Sequence, residues 1–214
     1  MLTLLAGCGR EIHSFPTVEP THPAPGLADI CGPQFDGHWV RVGGRADRIV
    51  AIDRYVESSG VGLLTDVCRK DVTLVELSWA FFAHGMHLLT GRDAELGVAL
   101  IHLSADEYAN PVAMAQLARI YFYGAYRMRL RNVDIEPNAD RAIFYISAAY
   151  RVGQLDREQT GSAVVLSRVK NTGWMVTERL NAMTQKGEFD QRAALLSHKE
   201  RILAVVDTHR SMYF

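Results

Sequence analysis

Two histidines stand three residues apart at His84 and His87, and a third follows at His102. On a helix, imidazoles at that spacing share a face and can hold a metal ion. No carboxylate lies within the same turn and no His-Glu-x-x-His run exists, so ordinary polar positions account for them better and no metal is expected. Ser167 precedes Lys170 by three residues, a spacing used by a serine nucleophile and its lysine. The companion runs Ser-Asp-Asn and Lys-Thr-Gly are absent, and a solvated helix face is the better explanation. Arg127, Arg129 and Arg131 alternate close to Tyr121, Tyr123 and Tyr126. Tyrosine and arginine dominate protein–protein contacts, and guanidinium groups also meet anionic glycans or phosphates. These six are the candidate partner-binding residues, with a charged solubilising loop as the alternative. The three cysteines, Cys8, Cys31 and Cys68, form no Cys-x-x-Cys and are too widely spaced for zinc. No glycine-rich phosphate loop, nucleophile elbow or acid–base pair occurs. No catalytic residue and no cofactor is expected, and the chain does not read as an enzyme.

These residues belong to a chain of 214 residues with 23 Lys+Arg against 24 Asp+Glu, a net charge of −1. That balance excludes a globally basic nucleic-acid binder. No run of eighteen apolar residues exists, so no helix is expected to cross a membrane. Residues 36–46, with Gly43-Gly44, predict a loop or a brief strand pair. Over residues 46–58, Ile49, Ile52 and Val56 recur at helical spacing. From Asp71 the period is helical throughout, so the fold class is all-α. Asp71 caps a first helix carrying Leu74, Leu77, Phe81 and Leu88, with Gly91 as its stop. Asp93 opens a second, with Leu96, Leu100, Ile101 and Leu103. Asn110-Pro111 ends that one and starts a third, running to Gly124. Asn138 or Asp140 opens a fourth, with Ala142, Tyr145, Ala148 and Ala149. Beyond it, residues 156–170 carry Val164, Val165, Leu166 and Val169 near one face. Trp174, Val176, Leu180 and Met183 make another stripe before a turn at Lys186-Gly187. Residues 189–211 add Ala194, Leu195, Ile202, Leu203 and Val206.

The opening Leu5-Ala6-Gly7-Cys8 resembles the lipobox of bacterial lipoproteins. Only seven residues precede Cys8 and none is basic, so the expected true start lies upstream. The resemblance implies residues 1–7 as a residual signal and a lipid on Cys8. Residues 8–35 would then be an anchor and tether. Five of the seven prolines fall at Pro16, Pro20, Pro23, Pro25 and Pro33, which favours an extended, solvated spacer. Gly9 follows the cysteine, where aspartate would retain an enteric lipoprotein at the inner membrane. In an oxidising compartment Cys31 and Cys68 would be the pair left to bridge, with two free buried thiols as the alternative.

Within the expected helical domain, residues 36–214, the run Ala113-x-x-x-Leu117-Ala118-x-x-Tyr121-x-x-Gly124 resembles helix A of a Sel-like, tetratricopeptide-like repeat. Arg141-Ala142-x-x-Tyr145-x-x-Ala148-Ala149 resembles its helix B, with tyrosine where tryptophan is usual. A weaker copy stands 33 residues upstream, Ala80-x-x-x-His84-Gly85-x-x-Leu88-x-x-Gly91, the offset of Ala113 from Ala80. The repeats would cover about 75–109 and 111–153, the second with an insertion at residues 125–137. The fold implied is a short α/α solenoid with extra C-terminal helices. The function implied is a non-enzymatic outer-membrane lipoprotein scaffold facing the periplasm. Its partners would be envelope proteins of a secretion, conjugation or polysaccharide-export assembly, with no nucleic acid. Two alternatives stay open: a periplasmic protein that meets peptidoglycan or β-lactams, and a cytosolic helical-repeat adaptor.

Overall fold

In the computed structural model, Val40–Arg41 and residues 72–91 and 93–214 are described below. Cys8, Cys31, Cys68, the expected signal and tether over 1–35 and the expected helix over 46–58 lie outside the described residues. The described part is helical apart from one small pairing. Strand β1 (Val40–Arg41) runs parallel to β2 (Val72–Thr73), with Val40 opposite Val72 and Arg41 opposite Thr73. The partner of Val40–Arg41 is therefore distant in sequence. Because Val72 and Thr73 belong to β2, the first helix begins at Leu74, later than a cap at Asp71 would place it.

Six α-helices follow: α1 (Leu74–Leu89), α2 (Ala94–His102), α3 (Pro111–Met128), α4 (Ala139–Thr160), α5 (Val164–Gln185) and α6 (Gln191–Tyr213). The starts of α3, α4 and α6 follow the capping chemistry. The Asn110 carboxamide oxygen accepts from the amides of Val112 and Ala113, Asn138 accepts from Arg141, and Asp190 accepts from Ala193. Pro111 fills the first position of α3, where its missing N–H costs nothing. Gly161, with φ 78°, closes α4. The segment 156–170 thus divides between two helices, with its apolar residues Val164, Val165, Leu166 and Val169 all in α5. The two stripes expected over 164–183 merge into one helix, α5.

Between α2 and α3, Leu103–Glu107 winds as a single π-helical segment. Two serines and an asparagine pin it. Ser104 donates to the Ser78 carbonyl at 2.7 Å, and the Asn110 amide donates to the Ser78 hydroxyl at 3.1 Å, all buried. Consecutive helices α1 and α2 pack together, as do α3 and α4. Helix α5 lies on both α3 and α4, and α6 lies on α4 and reaches α1. Helix α3 is enclosed nearly all round, with Ala113, Ala115, Leu117, Ala118 and Ile120 fully buried.

Two glycines let α1 and α2 touch. A Cβ on Gly97 would stand 2.8 Å from the Gly85 carbonyl oxygen and 2.8 Å from the Leu89 nitrogen. At the far end of α3, Gly124 takes φ 72° and kinks the helix, where a Cβ would meet Pro137 and the Ile135 carbonyl. The helix does not stop there but makes one more turn, to Arg129 in a left-handed conformation.

Candidate functional site

Where α2, the π segment, α3 and α4 meet, four polar side chains form a continuous hydrogen-bonded array. His102 Nδ1 lies 2.8 Å from Asp106 Oδ2, and His102 Nε2 lies 2.9 Å from the Tyr121 hydroxyl. The Tyr145 hydroxyl donates to Asp106 Oδ1 at 3.1 Å. The Tyr121 and Tyr145 rings stack in parallel, 5.7 Å apart and 1° from coplanar. The π segment sets this up, because Asp106 falls within it, four residues beyond His102. Arginines close the array. The Arg141 guanidinium lies 5.0 Å over the Tyr121 ring, and Arg201 of α6 lies 4.5 Å over Phe144.

Burial holds the Tyr145 hydroxyl well above the ordinary tyrosine range, with the Asp106 carboxylate adding to it. Burial also raises Tyr121, against the pull of Arg141. Desolvation lowers Arg201, which the charges of Tyr145, Asp106 and Asp140 oppose. Where Nδ1–H donates to Asp106, Nε2 is left to accept from Tyr121. The array is a carboxylate–imidazole–phenol relay able to hold or pass a proton. Yet Tyr121 and Tyr145 are closed off from solvent, and only Asp106 opens to it appreciably. A buried phenol at the end of the relay ties helices together and does not present a nucleophile.

A pH test follows. In the unfolded chain tyrosine ionises near 10, whereas Tyr145 keeps its proton beyond that when folded. The unfolded state therefore releases the proton first. The stability is full below pH 10 and is lost as pH rises towards the folded value. Tyr145→Phe should cost about 1 kcal/mol at neutral pH and flatten the alkaline decline, to which Tyr121 and Tyr108, both raised by burial, would still contribute. Denaturant midpoints taken from neutral to alkaline pH check it, and an unchanged slope would show that Tyr145 does not carry the linkage.

Two further contacts fasten α6 to α4. His198 Nε2 lies 2.9 Å from Asp140 Oδ2 at the rim. Deeper in, His209 and Asp156 are both fully enclosed, with Nε2 3.0 Å from Oδ1. His209 Nδ1 donates to the Ala109 carbonyl at 3.0 Å, and the Tyr213 hydroxyl donates to the Tyr108 carbonyl at 2.7 Å.

The residues singled out by sequence scatter. Tyr121 belongs to the buried array, away from the surface that a partner would meet. Tyr123 is half-buried, with the Arg179 guanidinium 6.0 Å from its ring, and its hydroxyl is enclosed without a hydrogen-bond partner. Tyr126 is 95% exposed, and Arg127, Arg129 and Arg131 are exposed beside it. His84 is half-buried, and burial followed by the charge of His87 lowers its pKa. His102 is committed to Tyr121 and Asp106, and no group of three metal-ligating side chains exists among the described residues. Ser167 and Lys170 are exposed on α5.

Sequence reading took His102 with the other histidines and missed its pairing with Asp106. The i,i+4 spacing of His102 and Asp106 was the available signal. Among the described residues no helix is long and apolar enough to cross a membrane. No protein-family model matches the chain, and no curated protein and no solved structure matches it.

Proposed function

We propose that the chain is a non-enzymatic helical scaffold whose working surface is the turn after the Gly124 kink, and that Cys8 anchors it in the outer membrane of a bacterial envelope. The observation that carries this reading is a fully exposed tyrosine on a segment held in one shape. The Ala125 amide donates to the Ile135 carbonyl at 2.8 Å, and Leu130 donates to the Ala125 carbonyl at 3.0 Å. Ile135 is buried and fixes the return of the loop. Tyr126, Arg127, Arg129 and Arg131 are thus displayed on backbone that has already lost its conformational freedom. A partner would not have to order it, which favours affinity. The stacking of α1–α2 and α3–α4 is consistent with a pair of Sel-like repeats. The lipobox-like Leu5-Ala6-Gly7-Cys8 and the proline-rich stretch after it support the anchor and tether. A bridged Cys31–Cys68 belongs to the same reading.

The test has two arms. Replacing Arg127, Arg129 and Arg131 together by serine should leave the helical circular dichroism unchanged and reduce crosslinking to envelope partners by about tenfold. Unchanged crosslinking would remove this surface from the proposal. Intact mass after expression from the native locus should give an acylated Cys8 in the membrane pool. A soluble, unacylated chain would make the protein a cytosolic adaptor instead.

A further inference from the structure

The outward face of α6 carries a pattern that the scaffold reading does not use. The helix buries Ala194, His198, Ile202, His209 and Tyr213 on one side. On the opposite side Arg192, Leu196, Lys199, Glu200, Leu203 and Asp207 are all exposed. At 3.6 residues per turn these six fall on one face, whose Lys199 and Leu203 edge borders the groove with α4. Leu196 is 65% and Leu203 is 44% exposed, unusual for leucines on a helix with so well defined a buried side. The charges are sorted by position. Arg192 and Lys199 precede the midpoint between Lys199 and Glu200, and Glu200 and Asp207 follow it, with Arg210 beyond them on the same face and paired to Asp207.

We propose that this face pairs with the same face of a second copy of the chain, antiparallel, about a two-fold axis between Lys199 and Glu200. A two-fold contact is self-complementary, since each residue meets its counterpart across the axis. Here Leu196 of each copy meets Leu203 of the other and Arg192 meets Asp207, while Lys199 and Glu200 flank the axis. The apolar positions face each other, and the outer charges face their opposites. Parallel pairing would set like charges against each other. Asp207 already accepts from Arg210 on its own helix at 3.1 Å. An exposed carboxylate has lone pairs for both guanidinium groups. A groove of about 540 Å³ between α4 and α6 adjoins the seam, with Tyr150, Arg151, Lys199 and Leu203 in its walls. It offers the flank of the second helix additional contact. A seam along one helix lies at the small end of specific interfaces, below about 1,200 Å², so the dimer is a weak one in the micromolar range.

The test uses the full 214-residue chain with Cys8→Ser, so that no acyl chain drives association. Sedimentation velocity over about three decades of concentration around the micromolar range should show a monomer–dimer equilibrium. Leu203→Asp should leave a folded monomer. Arg192→Asp should weaken association about tenfold, and so should Asp207→Arg. The two changes together should restore it, because each dimer regains both crossed pairs with their signs exchanged. A chain that stays monomeric throughout would overturn the proposal and leave the face to a different protein. So would a dimer indifferent to Leu203→Asp, or charge swaps that do not rescue one another.

Discussion

Asp156→Ala should destabilise the protein by about 3–5 kcal/mol, the usual cost of removing one partner from a fully buried ionic pair. The geometry explains why the loss is so large. The Ala109 carbonyl can only accept, so His209 Nδ1 carries a hydrogen, and a second proton sits between Nε2 and Asp156 Oδ1. Alanine removes the acceptor of that second proton and leaves the imidazole enclosed beside an apolar methyl. For a chain of this size the expected fall in melting temperature is roughly 10 °C. Asp156→Asn can donate an amide N–H to Nε2 of a neutral imidazole and should cost less. Thermal unfolding of the three proteins side by side measures it. A loss below about 1 kcal/mol for the alanine variant would mean that the pair does not hold α6 in place.

Gly97→Ala should cost about 2 kcal/mol net, even though alanine is the better helix former by about 1 kcal/mol. The added methyl would meet the Gly85 carbonyl oxygen and the Leu89 nitrogen, both at 2.8 Å. Both are backbone atoms that move only if the whole of α1 moves. Gly173→Ala is the control. There the methyl would overlap the tip of Ile146, a flexible side chain that can turn aside. The gain in helix propensity then roughly offsets the repacking, and the expected change is near zero. Urea midpoints distinguish the two. Equal effects would show that the α1–α2 crossing tolerates a wider separation than its geometry implies.

The helix starts were legible because their signals are local. Asn110 with Pro111 and Asn138 announce α3 and α4 through caps that need only the next three residues, and Asp93 marks the start of α2 without a side-chain cap bond. The π segment was not legible, since one extra residue in a turn changes no composition. Nor was the β1–β2 pairing, two residues long between distant segments. The phase of α6 was misread for a physical reason. Its buried line runs through Ala194, His198, Ile202 and His209, and the two histidines hide it among polar residues. Leu203, expected on the apolar stripe, stands outside. Trp174, expected to lie with Val176 and Leu180, is 58% exposed, because Gly173 beside it takes the close contact with Ile146. The buried array escaped detection because its members come from separate elements. His102 drew attention as a metal ligand, and Tyr121 as a repeat position and a partner-binding aromatic, neither as a member of one array.

The enclosure of α3 has a consequence for the order in which the chain is made. Synthesis runs from the amino terminus, and domains fold as their last contacts emerge. One wall of the α3 enclosure is α5, which comes after it in the chain. A nascent chain that has reached Thr160 holds α1 to α4 and lacks α5 and α6. At that stage the apolar flank of α3 that belongs against α5 is still open to water. The last quarter of the sequence therefore covers the middle, and a chain cut after Gly161 should leave that flank exposed and aggregate more readily than the whole.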